Sequence, residues 1–231
     1  MIHFDETKHT YTNTETDEKY ISVTTLLAKY KIPFDRDLHS TRVANKNGVS
    51  KEMVLEMWKQ EAKVATDKGT KIHKLMENYI SFGEKKEEYN HFYESYDNIL
   101  KNSIDKFKKV NSEMLLYNDE FKIAGTSDLI YDQGDHFTIS DFKTNKKFKF
   151  SSEFNEYFKV PIDHLQYCEH NMYALQMSLY AKLYEGMTKK KCKKIVVFYL
   201  EDNKWKDIHC NYLKFEAEAI LKDYSLNKFN K

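Results

Sequence analysis

Hydrophobic and polar positions follow two rhythms along this chain. Near the start, His9-Thr10-Tyr11-Thr12 and Lys19-Tyr20-Ile21-Ser22-Val23 are β-prone and flank a polar turn, which predicts a short hairpin. Thr24 or Thr25 is placed to cap a helix reaching Tyr30, ahead of Pro33. Residues 32–50 are polar without a period and are expected to be irregular. From Lys51 to about Ile80 the pattern is helical. Met53, Leu55, Met57 and Trp58 begin it, and Ile72, Leu75, Met76, Tyr79 and Ile80 form one apolar stripe. Gly69 is a candidate break within it. After the charged stretch Gly83–Asn90, Phe92, Tyr96, Ile99, Leu100, Ile104 and Phe107 supply the face of a helix from His91 to Val110.

The period then shortens. Glu113–Tyr117, Phe121–Tyr131 and Phe137–Thr144 read as strands, separated by the turns Asn118-Asp119-Glu120 and Asp132-Gln133-Gly134-Asp135. Asp163 and Gln166 form a candidate capping box for a helix to Glu185, with Gly186 beyond its end. Lys194–Glu201 and Lys204–Cys210 read as two strands turned at Asp202-Asn203, and a closing helix spans about Phe215 to Leu226. No internal repeat or linker interrupts the order. The expectation is one α/β domain over residues 1–231, with a helical N-terminal half.

Composition narrows the class. The chain has 231 residues, 41% of them hydrophobic, enough for a sizeable core. With 37 basic and 36 acidic residues the net charge is +1, which excludes a highly basic coat protein and an acidic solvating tail. Only Arg36 and Arg42 are arginine. No apolar run is long enough for a transmembrane helix, and Met1–Glu6 has no basic segment leading into an apolar one. Cys168, Cys192 and Cys210 are odd in number and widely spaced, so a cytoplasmic protein with free thiols, away from membranes, is expected. Three cysteines exclude a four-cysteine zinc or iron–sulfur site from this chain.

The chemistry gathers in Gly125-Thr126-Ser127-Asp128 and Asp141-Phe142-Lys143. Residues two apart on a strand share a face, so Asp141 and Lys143 point the same way, and a hairpin brings Asp128 alongside. Adjacent carboxylates repel unless a positive charge intervenes, and a hard divalent ion such as Mg²⁺ or Mn²⁺ suits oxygen ligands. Such an ion beside a lysine is equipment for phosphodiester hydrolysis. Taken alone, the tripeptide reads more often as a surface ion pair.

In its surroundings, the order Asp128…Asp141-Phe142-Lys143-Thr144 resembles the core motif of the PD-(D/E)XK nuclease superfamily, and its RecB-type exonuclease branch, which includes phage exonucleases. Four further pieces are similar in order: Ile21-Ser22-Val23-Thr24-Thr25-Leu26-Leu27; Gly69-Thr70-Lys71-Ile72-His73; Glu113; and the Q-x-x-x-Y element Gln176-Met177-Ser178-Leu179-Tyr180. The resemblance spans about Tyr20 to Tyr180. Ser127 replaces the proline of the superfamily's name, and members with an iron–sulfur cluster are excluded by the cysteine count.

The resemblance implies a restriction-endonuclease-like core, a mixed central sheet flanked by helices. Residues 1–110 would form a hairpin and helical channel or lid, 111–210 the catalytic core and 211–231 a C-terminal helix. It implies Asp128 and Asp141 as Mg²⁺ or Mn²⁺ ligands, joined by His73 and the backbone carbonyl of Phe142. Glu113 would be a ligand or a neighbour of one, and Lys143 the catalytic lysine. Gln176 and Tyr180 would brace the site or touch DNA. Glu77, one turn after His73, would join the site, orient His73 or pair with Lys74. Without the motif, His73 reads as a core histidine and Glu113 as a solvated edge residue.

Lysine clusters bear on the substrate. Lys143, Lys146, Lys147 and Lys149 occupy one acid-free segment whose Phe148, with Phe150 just beyond, is placed to stack on bases. Lys189–Lys194 holds five lysines but lies between a helix and a strand, and is a weaker candidate for phosphate contact that also reads as a solvated loop. Tyr30, Lys31, Trp58 and Lys63 are candidates to roof the site. Scarcity of arginine argues against base reading. The expected activity is nonspecific DNA hydrolysis by an exonuclease or end-processing enzyme in the (host) cytoplasm, on single strands or duplex ends. A structure-specific endonuclease and a catalytically silent DNA-binding protein are the rivals, and a helicase or recombinase partner is left open.

Overall fold

The computed structural model describes all residues except Glu6, Thr7, His9, Asn230 and Lys231, and the side chains of Lys228 and Phe229. Its frame is an eight-stranded mixed sheet. The strands are β1 (Ile2–Asp5), β2 (Thr10–Asn13), β3 (Lys19–Ser22), β4 (Lys109–Asn118), β5 (Ile123–Asp132), β6 (His136–Lys143), β7 (Lys191–Glu201) and β8 (Lys204–Cys210). They lie in the order β1-β2-β3-β5-β6-β7-β8, with β4 paired along β5. The β3/β5 and β6/β7 pairs are parallel and the others antiparallel.

Helices cover both faces. Helices α1 (Val23–Ala28), α5 (Glu169–Thr188) and α6 (Lys214–Phe229) pack on one, in a cluster with Leu26, Ile130, Ile139, Leu175, Val197 and Ile220. Helices α3 (Lys51–Phe82) and α4 (Asn90–Ser103) cover the other through Ile72, Met76, Tyr96, Leu129, Phe142 and Phe198. A third cluster joins the hairpin residues Ile2, Tyr11 and Tyr20 to Ala124 of β5. Burial on both faces explains the unbroken apolar run Ile195–Leu200 of β7.

Two features of β5 create room for a site. Its whole length pairs with β4 on one side. On the other, β3 pairs only with Ile123 and Ala124, and β6 only with Leu129–Asp132, so residues 125–128 face a fork between two strands. The pleat also inverts there. Ile123 and Ile130 share the α5-side cluster although seven apart, where strict alternation would oppose them. On β4, Val110 packs on the α3/α4 side and Leu116 on the α5 side, although six apart. The inversion is centred on Glu113 and Asp128, the one register position between Ser112↔Leu129 and Met114↔Ser127 that forms no ladder pair. Glu113 adopts φ +46°, a left-handed conformation rare for a residue with a Cβ.

Several sequence expectations are corrected. The hairpin is the inner part of a three-stranded meander, because β1 adds to β2; the expected start of β2 at His9 lies outside the described residues. The first helix begins at Val23 with Ser22 as its cap, accepting from Thr25 N, and ends at Ala28. Residues 32–50 contain α2 (Arg36–Asn47), capped by Asp35 and closed by Gly48. Its surface is polar almost all round, with only Ser40 and Ala44 buried, so no stripe announced it. Gly69 does not break α3, which runs unbroken for 32 residues. Helix α4 stops at Ser103 and β4 begins at Lys109, because the strand pairs with the far end of β5. Asp163 and Gln166 open no helix: buried Ile162 anchors a looped segment in which Phe158 N donates to Leu165 O, and α5 starts at Glu169. Gly186 lies within α5, whose end is set by Lys189 at positive φ. Among the described residues, no helix is long and apolar enough to cross a membrane.

Candidate active site

Register places three carboxylates in one row across the sheet. Glu113 stands opposite Asp128 on β4/β5, and Asp128 stands opposite Asp141 one step past the last β5/β6 ladder pair, Leu129↔Ser140. Like charges facing each other across strands destabilise a sheet. The fork and the inverted pleat hold this row where β3, β6 and α3 converge.

Asp128 is the hub. Its Oδ2 accepts from Phe142 N at 2.9 Å and lies 3.3 Å from His73 Nδ1. Burial, then Asp141, pushes its carboxyl above the ordinary value, against the pull of His73, Lys143 and the Phe142 amide. Asp141 is buried, at 4% exposure, and its Oδ2 lies 2.6 Å from Lys143 Nζ. Among the described residues, this ammonium is the one polar partner of that oxygen. Lys143 sits 4.8 Å from the centre of the Tyr173 ring. Burial works against its charge, but Asp141 and Asp128 outweigh it and lift the ammonium above its ordinary pKa.

His73 reaches the row from α3, its ring edge-on to Phe142 at 6.1 Å. Ligand atoms of His73, Glu113 and Asp128 lie within 4.8 Å of one another. Glu113 reaches solvent yet stands in a crowded cleft. Burial, followed by repulsion from Asp128, Glu77 and Asp141, pushes its carboxyl up to about 8. Three acidic oxygen sources and one imidazole, crowded together with a single ammonium beside them, match a hard divalent cation. Beside Glu113 opens a cleft of about 500 Å³ walled by Lys74 and Glu77, Tyr11 and Tyr180.

The remaining expected residues divide. Glu77 pairs with Lys74 at 2.8 Å on the cleft wall. Tyr180 is buried, accepts from Gln176 Nε2 at 3.3 Å and lies against Gly125, where a Cβ would fall 2.5 Å from its ring. Gly69 likewise marks a close approach: a Cβ there would sit 3.2 Å from Thr144 Oγ1, so α3 rests on the residue after Lys143. Phe142 contributes its amide to Asp128, while its ring is buried against Trp205 at 4.7 Å. Ser127, at the expected proline position, is buried, and its hydroxyl has no hydrogen-bond partner among the described residues.

Some expectations fail. Phe148 is no free stacking platform: it packs on Tyr173 and Tyr199 at 5.6 and 5.2 Å, and only Phe150 is exposed. Tyr30 is core, donating its hydroxyl to Asp223 at 2.7 Å, so it roofs nothing. Lys149 pairs with Glu153, Lys190 with Asp132, and Lys193 and Lys194 with Asp105, which makes the second lysine cluster largely an ion-pair set. Lys146 and Lys147 are exposed. Tyr11, which shares a 3.2 Å hydrogen bond with Thr126 beside the row, escaped the sequence reading because only the non-local β3/β5 pairing brings it there.

No known family profile matches the chain, and no curated protein matches it. Solved structures similar to it include SSO0001, at 14% identity and a TM-score of 0.39, covering 91% of this chain and 76% of the other. Another is a "Putative exonuclease" from Eubacterium rectale, at 13% identity and a TM-score of 0.40, covering 91% and 79%. At these values the likeness lends no support to any activity.

Proposed function

We propose that this chain is a Mg²⁺- or Mn²⁺-dependent DNA nuclease of PD-(D/E)XK type and RecB-like branch, acting without sequence specificity as an exonuclease or end-processing enzyme. The observation that carries the reading is the row Glu113, Asp128 and Asp141 with Lys143 held beside it. A protein gains nothing in stability from facing carboxylates at a fork in its sheet, so the arrangement is best explained by a bound cation. His73, Glu113 and Asp128 would hold it, with Asp141 and the Phe142 carbonyl as further donors. When bound, the ion supplies Lewis-acid polarisation of a phosphoryl oxygen and makes water acidic enough to attack at neutral pH.

The chain's own residues supply the rest. Asp141 keeps Lys143 charged and aimed into the row, and Tyr173 seats its ammonium. That charge would orient the attacking water and offset the charge gathering on the phosphate. Gln176 and Tyr180 would brace β5 from α5 and fix the height of Asp128. With two arginines in the whole chain, contacts to phosphate would be point charges that track backbone and not sequence.

Incubating labelled DNA with protein and Mg²⁺ or Mn²⁺ tests this. Asp128→Ala and Lys143→Ala should each abolish degradation while retaining the native circular dichroism spectrum. Full activity in both variants overturns the reading. A linear single strand that is degraded beside an intact circular one supports the exonuclease; cutting of the circle favours the endonuclease.

A further inference from the structure

A groove of about 400 Å³ runs between α3 and the segment after β6. Its walls are mainly apolar, from Met57, Val64 and Ala65, and Met57 and Val64 remain 54% and 68% exposed. Lys68 and Lys146 stand in it from opposite sides. Many lysines in this molecule are engaged by acids, but among the described residues neither of these two has a carboxylate within ion-pair distance. Thr144, the residue after Lys143, also lines the groove, and Gly69 sits against it one turn of α3 before His73.

We infer that this groove is the seat of a single nucleic-acid strand leading to the carboxylate row, which rests on the nuclease reading and adds the substrate form to it. An apolar wall with cations on both sides complements an unpaired strand. Its bases offer flat apolar faces while its phosphates need positive charge. A duplex hides those faces in its stack and presents only phosphates and base edges, which gives Met57 and Val64 nothing to cover. Glu61, also in the groove, is the one carboxylate among its lining residues and opposes an anionic strand.

The test uses the Asp141→Asn background, to prevent hydrolysis, with Mg²⁺ present and a fluorescent oligothymidylate followed by anisotropy. Adding Lys68→Gln and Lys146→Gln should weaken binding about tenfold and reduce the slope of log K against log salt by about 1.4, about 0.7 per lost phosphate contact. Adding Glu61→Gln alone should tighten binding. A blunt hairpin duplex should respond to neither change. Unchanged affinity for the oligothymidylate, or equal losses for strand and duplex, overturns the groove. If wild-type protein still degrades DNA in that event, the groove fails alone; if wild type neither degrades nor binds DNA, the nuclease reading fails with it.

Discussion

Gly125 and the Tyr180 ring are in mutual contact: a Cβ on Gly125 would lie 2.5 Å from Tyr180 Cε1. Tyr180 is buried and joined to Gln176, so its ring has little space to retreat. Gly125→Ala should therefore destabilise the fold by about 1–3 kcal/mol, the range for overpacking a filled core. Urea denaturation measures it. Tyr180→Ala costs stability by itself, but adding Gly125→Ala to it should cost much less than Gly125→Ala in wild type. Additive losses would show that the contact is not the cause.

Asp128→Asn separates stability from function. The substitution removes the buried charge that faces both Asp141 and Glu113, while an amide oxygen can still accept from Phe142 N. In metal-free buffer the variant should melt at a higher temperature than wild type. On the proposed nuclease reading, in Mg²⁺ it should lose both hydrolysis and the thermal shift that ion binding would give wild type. A lower metal-free melting temperature would mean that Asp128 is a stabilising partner of His73 and not a strained ligand.

The raised carboxyl of Glu113 predicts a direction for stability against pH. Between its ordinary value of 4.5 and about 8, the unfolded chain has released this proton while the folded protein retains it. Folding then binds a proton, so the Glu113 contribution to metal-free stability is complete below 4.5 and is lost as pH rises to about 8. Glu113→Gln should flatten the denaturation midpoint across that window. Identical profiles for both proteins would place the group in ordinary solvent.

How much of this was legible depends on whether the governing contact is local. Asp128, Asp141 and Lys143 could be placed together from the sequence because a short turn joins β5 to β6 and the strand period sets which side chains share a face. The position of Gly69 on a close approach was hidden, since a helix glycine looks the same whether it breaks the helix or admits a neighbour. Helix α2 was invisible to periodicity, though its cap Asp35 and its stop Gly48 were present. Nothing local marks the pleat inversion at Glu113 and Asp128, because it shows only in which cluster each distant strand residue joins. The base-stacking role given to Phe148 failed for a related reason: an aromatic beside lysines resembles a nucleic-acid platform until Tyr173 and Tyr199 cover it.

Gly69→Ala sets two effects against each other. Alanine favours a helix interior by about 1 kcal/mol over glycine. Its methyl would approach Thr144 Oγ1 at 3.2 Å, so the neighbour must yield by a few tenths of an ångström. A partly exposed threonine at the end of a strand can move that far, and the propensity gain should win: the variant should be as stable as wild type or slightly more so. Activity should move the other way, since Thr144 follows Lys143 and His73 lies one turn along from Gly69. Displacing either costs alignment at the carboxylate row, and catalytic geometry tolerates less than packing does. The expected result is a fall in kcat of about tenfold with unchanged or raised Tm. Adding Thr144→Ser, which keeps Oγ but sheds the methyl that restrains it, should restore part of the rate. Loss of stability in Gly69→Ala, with kcat preserved, would mean that the close approach serves packing alone.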